Sequence, residues 1–303
     1  MKVLMIFIDG LGIGCQDETN PYLSAATPYT DKLLGGHVLF AGVDKIINKF
    51  AVMIPTDACL GVAGLPQSAT GQTTLWTGVN AALAVGRHIN QYPDLKLKDI
   101  IIKHSIMKIL GEAGKKVTFA NAYRSEFFKM VRERKLGLST STLVALSSGT
   151  RLRTIDDLKR GNAVYQDFTN KMLIDWGYDV EVLSARQAGI NLARIAEDHD
   201  FTLYEYFITD RIGHKQDLAA AVDTYEKLDL FIQTAVENSN LDEMVIMIVS
   251  DHGNIEDIST ATHTLNKVAT FIISYQVEKL PWPAISSLTD ITPFVRRTIL
   301  DKI

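Results

Sequence analysis

Met244–Asn254 reads MVIMIVSDHGN. Six apolar residues, rich in Val and Ile, run into Ser250, then Asp251 and His252 side by side, then Gly253. An apolar run of that length, ended by a glycine turn, reads as a buried parallel strand. Open α/β sheets place their ligand sites outside the carboxyl ends of such strands. Asp251 and His252 therefore stand where a ligand would be held, and the fold turns on whether other strands end the same way.

Working outward, Val3–Ile8 is an apolar run that stops at Asp9–Gly10, and Phe201–Ile208, rich in aromatic and β-branched residues, stops at Thr209–Asp210. Lys116–Ala120 and Val268–Ile273 add two further strands. Helical spacing marks Ile101–Ala113, Ala185–Glu197 (Ser184 and Gln187 at capping-box spacing) and Asp217–Val236. A short helix is expected within Ala26–Gly36, and a last one over Pro293–Leu300 with Thr292 as its cap. Pro55–Gln67, broken by Gly61, Gly64 and Pro66, reads as a loop. Strand–helix alternation of this kind predicts an α/β three-layer sandwich, a mostly parallel central sheet with helices on both faces. The turn Gly10–Gly14 (GLGIG) lacks dinucleotide-fingerprint spacing, and no apolar helix follows it. From 123 to 183 the texture changes: Arg and Lys cluster at Arg124, Lys129, Arg132, Arg134, Arg151 and Arg153, and the alternation is lost. This stretch is expected to be a small inserted cap subdomain, with 1–122 and 184–303 forming the core.

The chain has 303 residues, 47% hydrophobic and 22% charged, with a net charge of −4. That is ample for a buried core and gives no basic face for nucleic acid. No apolar run approaches the roughly 20 residues of a membrane helix. The apolar start is too short for a signal peptide, so a cytoplasmic protein is expected. Cys15 and Cys59 cannot form a disulfide framework, and small buried hydrophobes are the expected role.

Three predicted strands thus end in an aspartate: Asp9, Asp210 and Asp251. Asp210 is followed at four residues by His214, Asp251 at once by His252, and His263 lies in a loop flanked by Thr; these are three of the seven histidines. Carboxylates and imidazoles without cysteine suit Zn, Mn or Fe, and a two-metal site clamps a phosphoryl group. The bland alternative is a set of capping and turn residues. Ser68, just after Pro66 and opening SATGQTTLWTGVN, stands at a helix start where unpaired N–H groups favour an anion. Its hydroxyl is either a cap or a nucleophile.

SDHGNIED with the downstream His263–Thr264, DRIGH at Asp210–His214, the first strand ending in IDG, and ATPYTDKL together resemble the alkaline phosphatase superfamily. They are most similar in flavour to cofactor-independent phosphoglycerate mutase and phosphopentomutase, and SATGQTTLWTGVN looks like the nucleophile segment. The resemblance implies two divalent metal ions, Mn or Zn. One would be held by Asp210, His214 and His263, the other by Asp9, Asp251, His252 and the Ser68 oxygen. It further implies Ser68 as nucleophile of a phosphoserine intermediate. The chain departs from the mutases at Gln72, where they carry His, and at Lys267 and Ala269, where they tend to have proline.

The basic insert should grip the substrate, and Arg124, Arg151 and Arg153 are the candidates, since Arg forks bind phosphate bidentately. A mutase must enclose its substrate, and an insert of about 60 residues is small for that by ordinary domain sizes. The expectation is therefore a hydrolase of small phosphate esters. A phosphomutase of the phosphoglycerate or phosphopentose type is the alternative, and a metal-stabilised, non-catalytic binding protein a second one. Neither the substrate nor the oligomeric state is legible.

Overall fold

The structure, a computed structural model, describes residues 1–301. Its centre is a seven-stranded sheet. In chain order the strands are β1 (Lys2–Ile8), β2 (Ile46–Ile47), β3 (Ala51–Thr56), β4 (Val117–Phe119), β5 (Phe201–Tyr206), β6 (Met244–Val249) and β7 (Val268–Ile273). Spatially they run β2-β3-β7-β6-β1-β5-β4. β1 lies parallel to β5 and β6, and β4 parallel to β5. β7 is antiparallel to both β6 and β3, and β2 to β3. Five strands therefore point one way and two, β2 and β7, the other.

Side-chain alternation along these strands builds two cores, because successive residues face opposite sides of a sheet. Val3, Met5 and Phe7 join Val245, Met247, Val249 and Leu203 on one face. There they meet Leu75 and Trp76 of the helix Ser68–Thr77, Met107 and Leu110 of Ile106–Glu112, and Phe294 and Val295 of Ile291–Leu300. Leu4, Ile6 and Ile8 join Ile246, Ile248 and Tyr204 on the other face, against Leu192 of Ala185–Glu197 and Phe231 and Ile232 of Leu218–Glu237. The apolar runs of β1 and β6 carry no alternation in hydrophobicity because both of their faces are covered. At about 1.5–3 kcal/mol for each large side chain buried, these two cores supply the main drive to fold.

Several boundaries differ from the sequence expectations, each for a local reason. β3 runs through Pro55 to Thr56, into the start of the stretch expected to be a loop. Pro55 is tolerated because β2 pairs only with Val52 and Met53, so the proline's missing N–H faces no partner. The last helix begins at Ile291 with Asp290 as N-cap, two residues before Pro293, and Thr292 instead hydrogen-bonds the Leu75 carbonyl at 2.9 Å. The segment Ile101–Ala113 is two helices, Leu95–His104 and Ile106–Glu112, divided at Ser105. Neither cysteine is buried as expected: Cys15 is exposed and Cys59 half-buried.

Within 123–183 the packing divides. The helix Thr140–Ser147 sends Val144 and Ala145 into the first core, beside Phe119 and Leu203. Leu158, Ala163, Tyr165 and Leu173 form a small core of their own, next to a two-stranded parallel pair, Ala122–Tyr123 with Arg153–Thr154.

Candidate metal centre

The carboxyl ends of β5, β1 and β6 lie side by side, and each delivers an aspartate. Asp9 directly follows β1, and Asp251 and His252 follow β6 after Ser250. Asp210 sits not at a strand end but inside a short helical turn, Ile208–Gly213, that follows β5. That turn brings His214 onto the same face, one turn later, with its N–H on the Asp210 carbonyl at 3.0 Å. His263 arrives from the loop between β6 and β7.

These residues fall into two groups, Asp210 with His214 and His263, and Asp9 with Asp251 and His252, each with ligand-type atoms within 4.8 Å of one another. In the first, His263 Nε2 is 3.4 Å from Asp210 Oδ1 and His214 Nε2 is 3.4 Å from Asp210 Oδ2. In the second, His252 Nε2 is 3.3 Å from Asp9 Oδ1 and 3.6 Å from Asp251 Oδ2. The groups adjoin, for the rings of His252 and His263 stack with centroids 3.7 Å apart.

Each imidazole turns its Nδ1 to a backbone carbonyl: His214 to Ala261 at 2.7 Å, His263 to Pro66 at 2.7 Å, and His252 to Gly253 at a longer 3.4 Å. A carbonyl only accepts, so Nδ1 carries the proton and Nε2 is aimed at the carboxylates, the outer-shell arrangement of metal-binding histidines. Burial, and then His263, depress His252 to about 3, so its ring is neutral and presents a lone pair. Burial, and then the charges of Asp251 and Asp210, hold the Asp9 carboxyl well above the usual carboxylate range. Burial and Asp210 push Asp251 up to about 7. Burial presses Asp210 upward as well, but His263, His252, Asn254 and His214 prevail and bring it to about 2. Burial pulls His263 down, while Asp210 and the Pro66 carbonyl hold it above its ordinary value.

Acceptors thus face acceptors. Asp9 Oδ1 and Asp251 Oδ2 are buried with no hydrogen-bond partner. Among the described residues, no Lys or Arg pairs with any of the three aspartates. An uncompensated buried charge costs several kcal/mol, and a cation among these oxygens and nitrogens removes that cost. The donor set therefore fits divalent metal ions.

Ser68 opens the helix Ser68–Thr77 but does not cap it. Gln67 is the N-cap, and the Ser68 Oγ lies 3.0 Å from His252 Nε2. The helix is pressed against the centre at Gly71, where a Cβ would stand 2.8 Å from the Asp251 carbonyl oxygen and 3.0 Å from its Cβ. Only glycine permits that approach.

The supporting shell escapes a sequence reading. Gln72 donates to Asp9 Oδ2 at 3.3 Å, and Asn254 to Asp210 Oδ1 at 2.7 Å. The Glu256 carboxylate is buried and accepts from Gly12 N (3.0 Å), Asn254 N (2.6 Å), Asn266 Nδ2 (3.0 Å) and Thr264 Oγ1. It ties together the loops that carry Asp9, His252 and His263. The SDHGNIED motif was the available signal, but an acid in a polar loop has many ordinary uses.

The three arginines part company. Arg151 makes a bidentate pair with Asp157 at 2.8 and 3.0 Å. Arg153 donates to Thr118 Oγ1 and the Asn162 carbonyl. Neither is brought to a cavity near the centre. Arg124 lies over the Trp176 ring, 4.0 Å from its centroid, in the wall of a cavity of about 210 Å³ that also includes Glu205 and Phe207. No helix among the described residues is long and apolar enough to cross a membrane.

A family model described as the Metalloenzyme superfamily matches residues 1–302. Two curated relatives, the 2,3-bisphosphoglycerate-independent phosphoglycerate mutases of Mycoplasma pneumoniae and Helicobacter hepaticus, match in part. They are 31% identical over 75 residues and 27% over 92, or 23% and 28% of this chain. The matched segments span only 15% and 19% of those relatives' own lengths. Among solved structures, a protein from Pyrococcus horikoshii is similar over 100% of this chain and 98% of its own, with a TM-score of 0.61 at 14% identity. A phosphoglycerate mutase from Leishmania mexicana is similar over 98% and 95%, with a TM-score of 0.52 at 13% identity. At those identities the likeness is one of fold.

Proposed function

This chain belongs to the Metalloenzyme superfamily, and from that premise we propose that it is a two-metal phosphoryl-transfer enzyme hydrolysing small phosphate esters through a phosphoserine on Ser68. Asp210, His214 and His263 would hold one divalent ion. Asp9, Asp251, His252 and the Ser68 oxygen would hold the other, manganese or zinc in each case. Two such ions supply positive charge that lowers the serine hydroxyl's pKa and offsets the charge of the phosphoryl oxygens.

The chain's own residues do the rest. Ser68 Oγ forms a bond to phosphorus as the ester oxygen leaves with the alcohol, and water then cleaves the phosphoserine to regenerate the hydroxyl. Thr70 N–H is taken by the Ile89 carbonyl and Gly71 N–H by that of Gln67, so the Ser68 and Ala69 N–H groups at the helix start are the ones that would face the transferring phosphoryl group. Gln72 and Asn254 orient Asp9 and Asp210. Residues 123–183 are proposed as the cap over the substrate.

The observation that carries this reading is the Ser68 hydroxyl, free of capping duty and 3.0 Å from His252 Nε2 inside a candidate metal group. Ser68→Ala in metal-supplemented protein should cut turnover of an activated aryl phosphate by about a thousandfold or more. Acid-quenched wild type should carry phosphate on the peptide containing Ser68. Wild-type activity in the variant would falsify the nucleophile assignment. The segment matches to phosphoglycerate mutases favour a mutase as second reading. Isomer formation from phosphoglycerates or sugar phosphates, without free phosphate, would establish it over the hydrolase.

A further inference from the structure

The cavity holding Arg124 lies at the carboxyl ends of β4 and β5, beside the candidate metal centre. Phe207, in its wall, comes three residues before Asp210. Tyr92, opposite in the chain, follows Ile89, which exchanges hydrogen bonds with Thr70 in the helix that begins at Ser68. The cavity is thus built from the continuations of the same segments that present Asp210 and Ser68.

Its wall is rich in aromatic rings. Tyr92, Tyr123, Phe127, Tyr165, Trp176 and Phe207 stand in its wall. Several of the polar groups around it are spent on one another. Tyr123 OH meets Thr142 Oγ1 at 2.7 Å, and Ser139 Oγ meets the same hydroxyl at 2.8 Å. Ser141 donates to Glu205 Oε2 at 2.7 Å, and both ends of the Asn121 amide bond the Glu205 backbone. A flat ring would find aromatic faces and edges, the offset and edge-to-face contacts that aromatic groups prefer. Arg124, already lying over Trp176, extends that stacking surface.

We propose that the substrate's leaving group carries a planar aromatic or heteroaromatic ring, which stacks in the cavity bounded by Trp176, Phe207 and Tyr92. The inference rests on the phosphoryl-transfer reading for the orientation of the ester, but the ring pocket can be tested apart from it. Matched pairs hold the ester chemistry nearly constant: adenosine 5′-monophosphate against ribose 5-phosphate, and benzyl phosphate against ethyl phosphate. In metal-supplemented full-length protein the ring should raise kcat/KM by about tenfold or more in at least one pair. An advantage in the first pair alone indicates a nucleobase, and one in both a ring of any kind. Trp176→Ala and Phe207→Leu should each bring that ratio toward one.

Binding of the same four compounds, followed by saturation-transfer NMR, keeps the two readings separable. Equal turnover within both pairs overturns the ring pocket and leaves the phosphoryl-transfer reading standing. No turnover at all, with ring-dependent binding lost in Trp176→Ala, does the reverse. Ring-independent binding overturns the inference outright.

Discussion

Replacing Asp251 by asparagine should stabilise the metal-free chain and weaken the metal-loaded one, a reversal of sign within one variant. Asp251 is fully buried, Oδ2 has no hydrogen-bond partner, and burial with Asp210 lifts its carboxyl to about 7. An unfolded chain releases that proton near pH 3.9, so the metal-free fold loses stability as pH rises from about 4 to about 7. Above about pH 7 the loss is complete, and at about 1.4 kcal/mol per pH unit it amounts to roughly 4 kcal/mol. Asparagine has no charge to lose. Its oxygen keeps the place of Oδ1, 3.4 Å from Gly10 N, and its NH₂ falls where Oδ2 meets His252 Nε2 at 3.6 Å.

At pH 8 in chelator, the variant should therefore unfold later than wild type, by at most roughly 4 kcal/mol, on the order of 5–10 °C for a chain of this size. At pH 4 the two should converge. Metal acts in the opposite sense. A hundredfold excess over Kd adds about 2.7 kcal/mol to wild type, and much less to a variant with a charged ligand removed. Urea or thermal unfolding at both pH values, with chelator and with manganese or zinc, would measure all four cases. A variant less stable than wild type in chelator at pH 8, or equally stabilised by metal, would refute the assignment of Asp251 as an uncompensated ligand.

Two further outcomes follow from the packing. Gly71→Ala sets a helix-propensity gain of about 1 kcal/mol against overpacking on Asp251 of about 1–3 kcal/mol. Stability should fall by no more than about 2 kcal/mol while displacement of Ser68 lowers kcat by about a hundredfold; unchanged kcat would mean the helix does not position the hydroxyl. Glu256→Ala strands four donors in the loops around the centre, at about 1–3 kcal/mol for each buried group left unsatisfied. Both melting temperature and metal affinity should fall, and Glu256→Gln, which keeps acceptor capacity at one oxygen only, should fall between.

Much of this architecture is legible because burial on both faces writes itself as unbroken apolar runs, and β1 and β6 are such runs. The same property hides direction. Val268–Ile273 reads identically whichever way it runs, and only its pairing shows it antiparallel. Asp210 looks like a strand end because the turn that carries it, ITDRIG, has no periodicity to announce a helix. β3 is masked by Pro55, whose tolerance depends on how short its neighbour is. At the centre, ligand types at recognisable spacing expose Asp9, Asp210, Asp251 and the three histidines. Gln72, Asn254 and Glu256 are ordinary loop and helix polars until folding aims them. Arg151 and Arg153 show the converse: a basic cluster carries charge into a sequence without saying whether an internal carboxylate, as for Arg151, or a hydroxyl and a carbonyl, as for Arg153, already claim it.

The central place of β1 also bears on biosynthesis. Its register partners lie at 201–206 and 244–249, so β1 leaves the ribosome long before it can be sheathed on both sides. Such distant pairing is slow, and it leaves an apolar edge open meanwhile. The centre shares the delay, since Asp9 follows that strand directly while Asp251, His252 and His263 are made only after its second partner. Until β6 is made a nascent chain has no complete pair of candidate ligand groups, and on the proposed reading ion capture is tied to closure of the sheet.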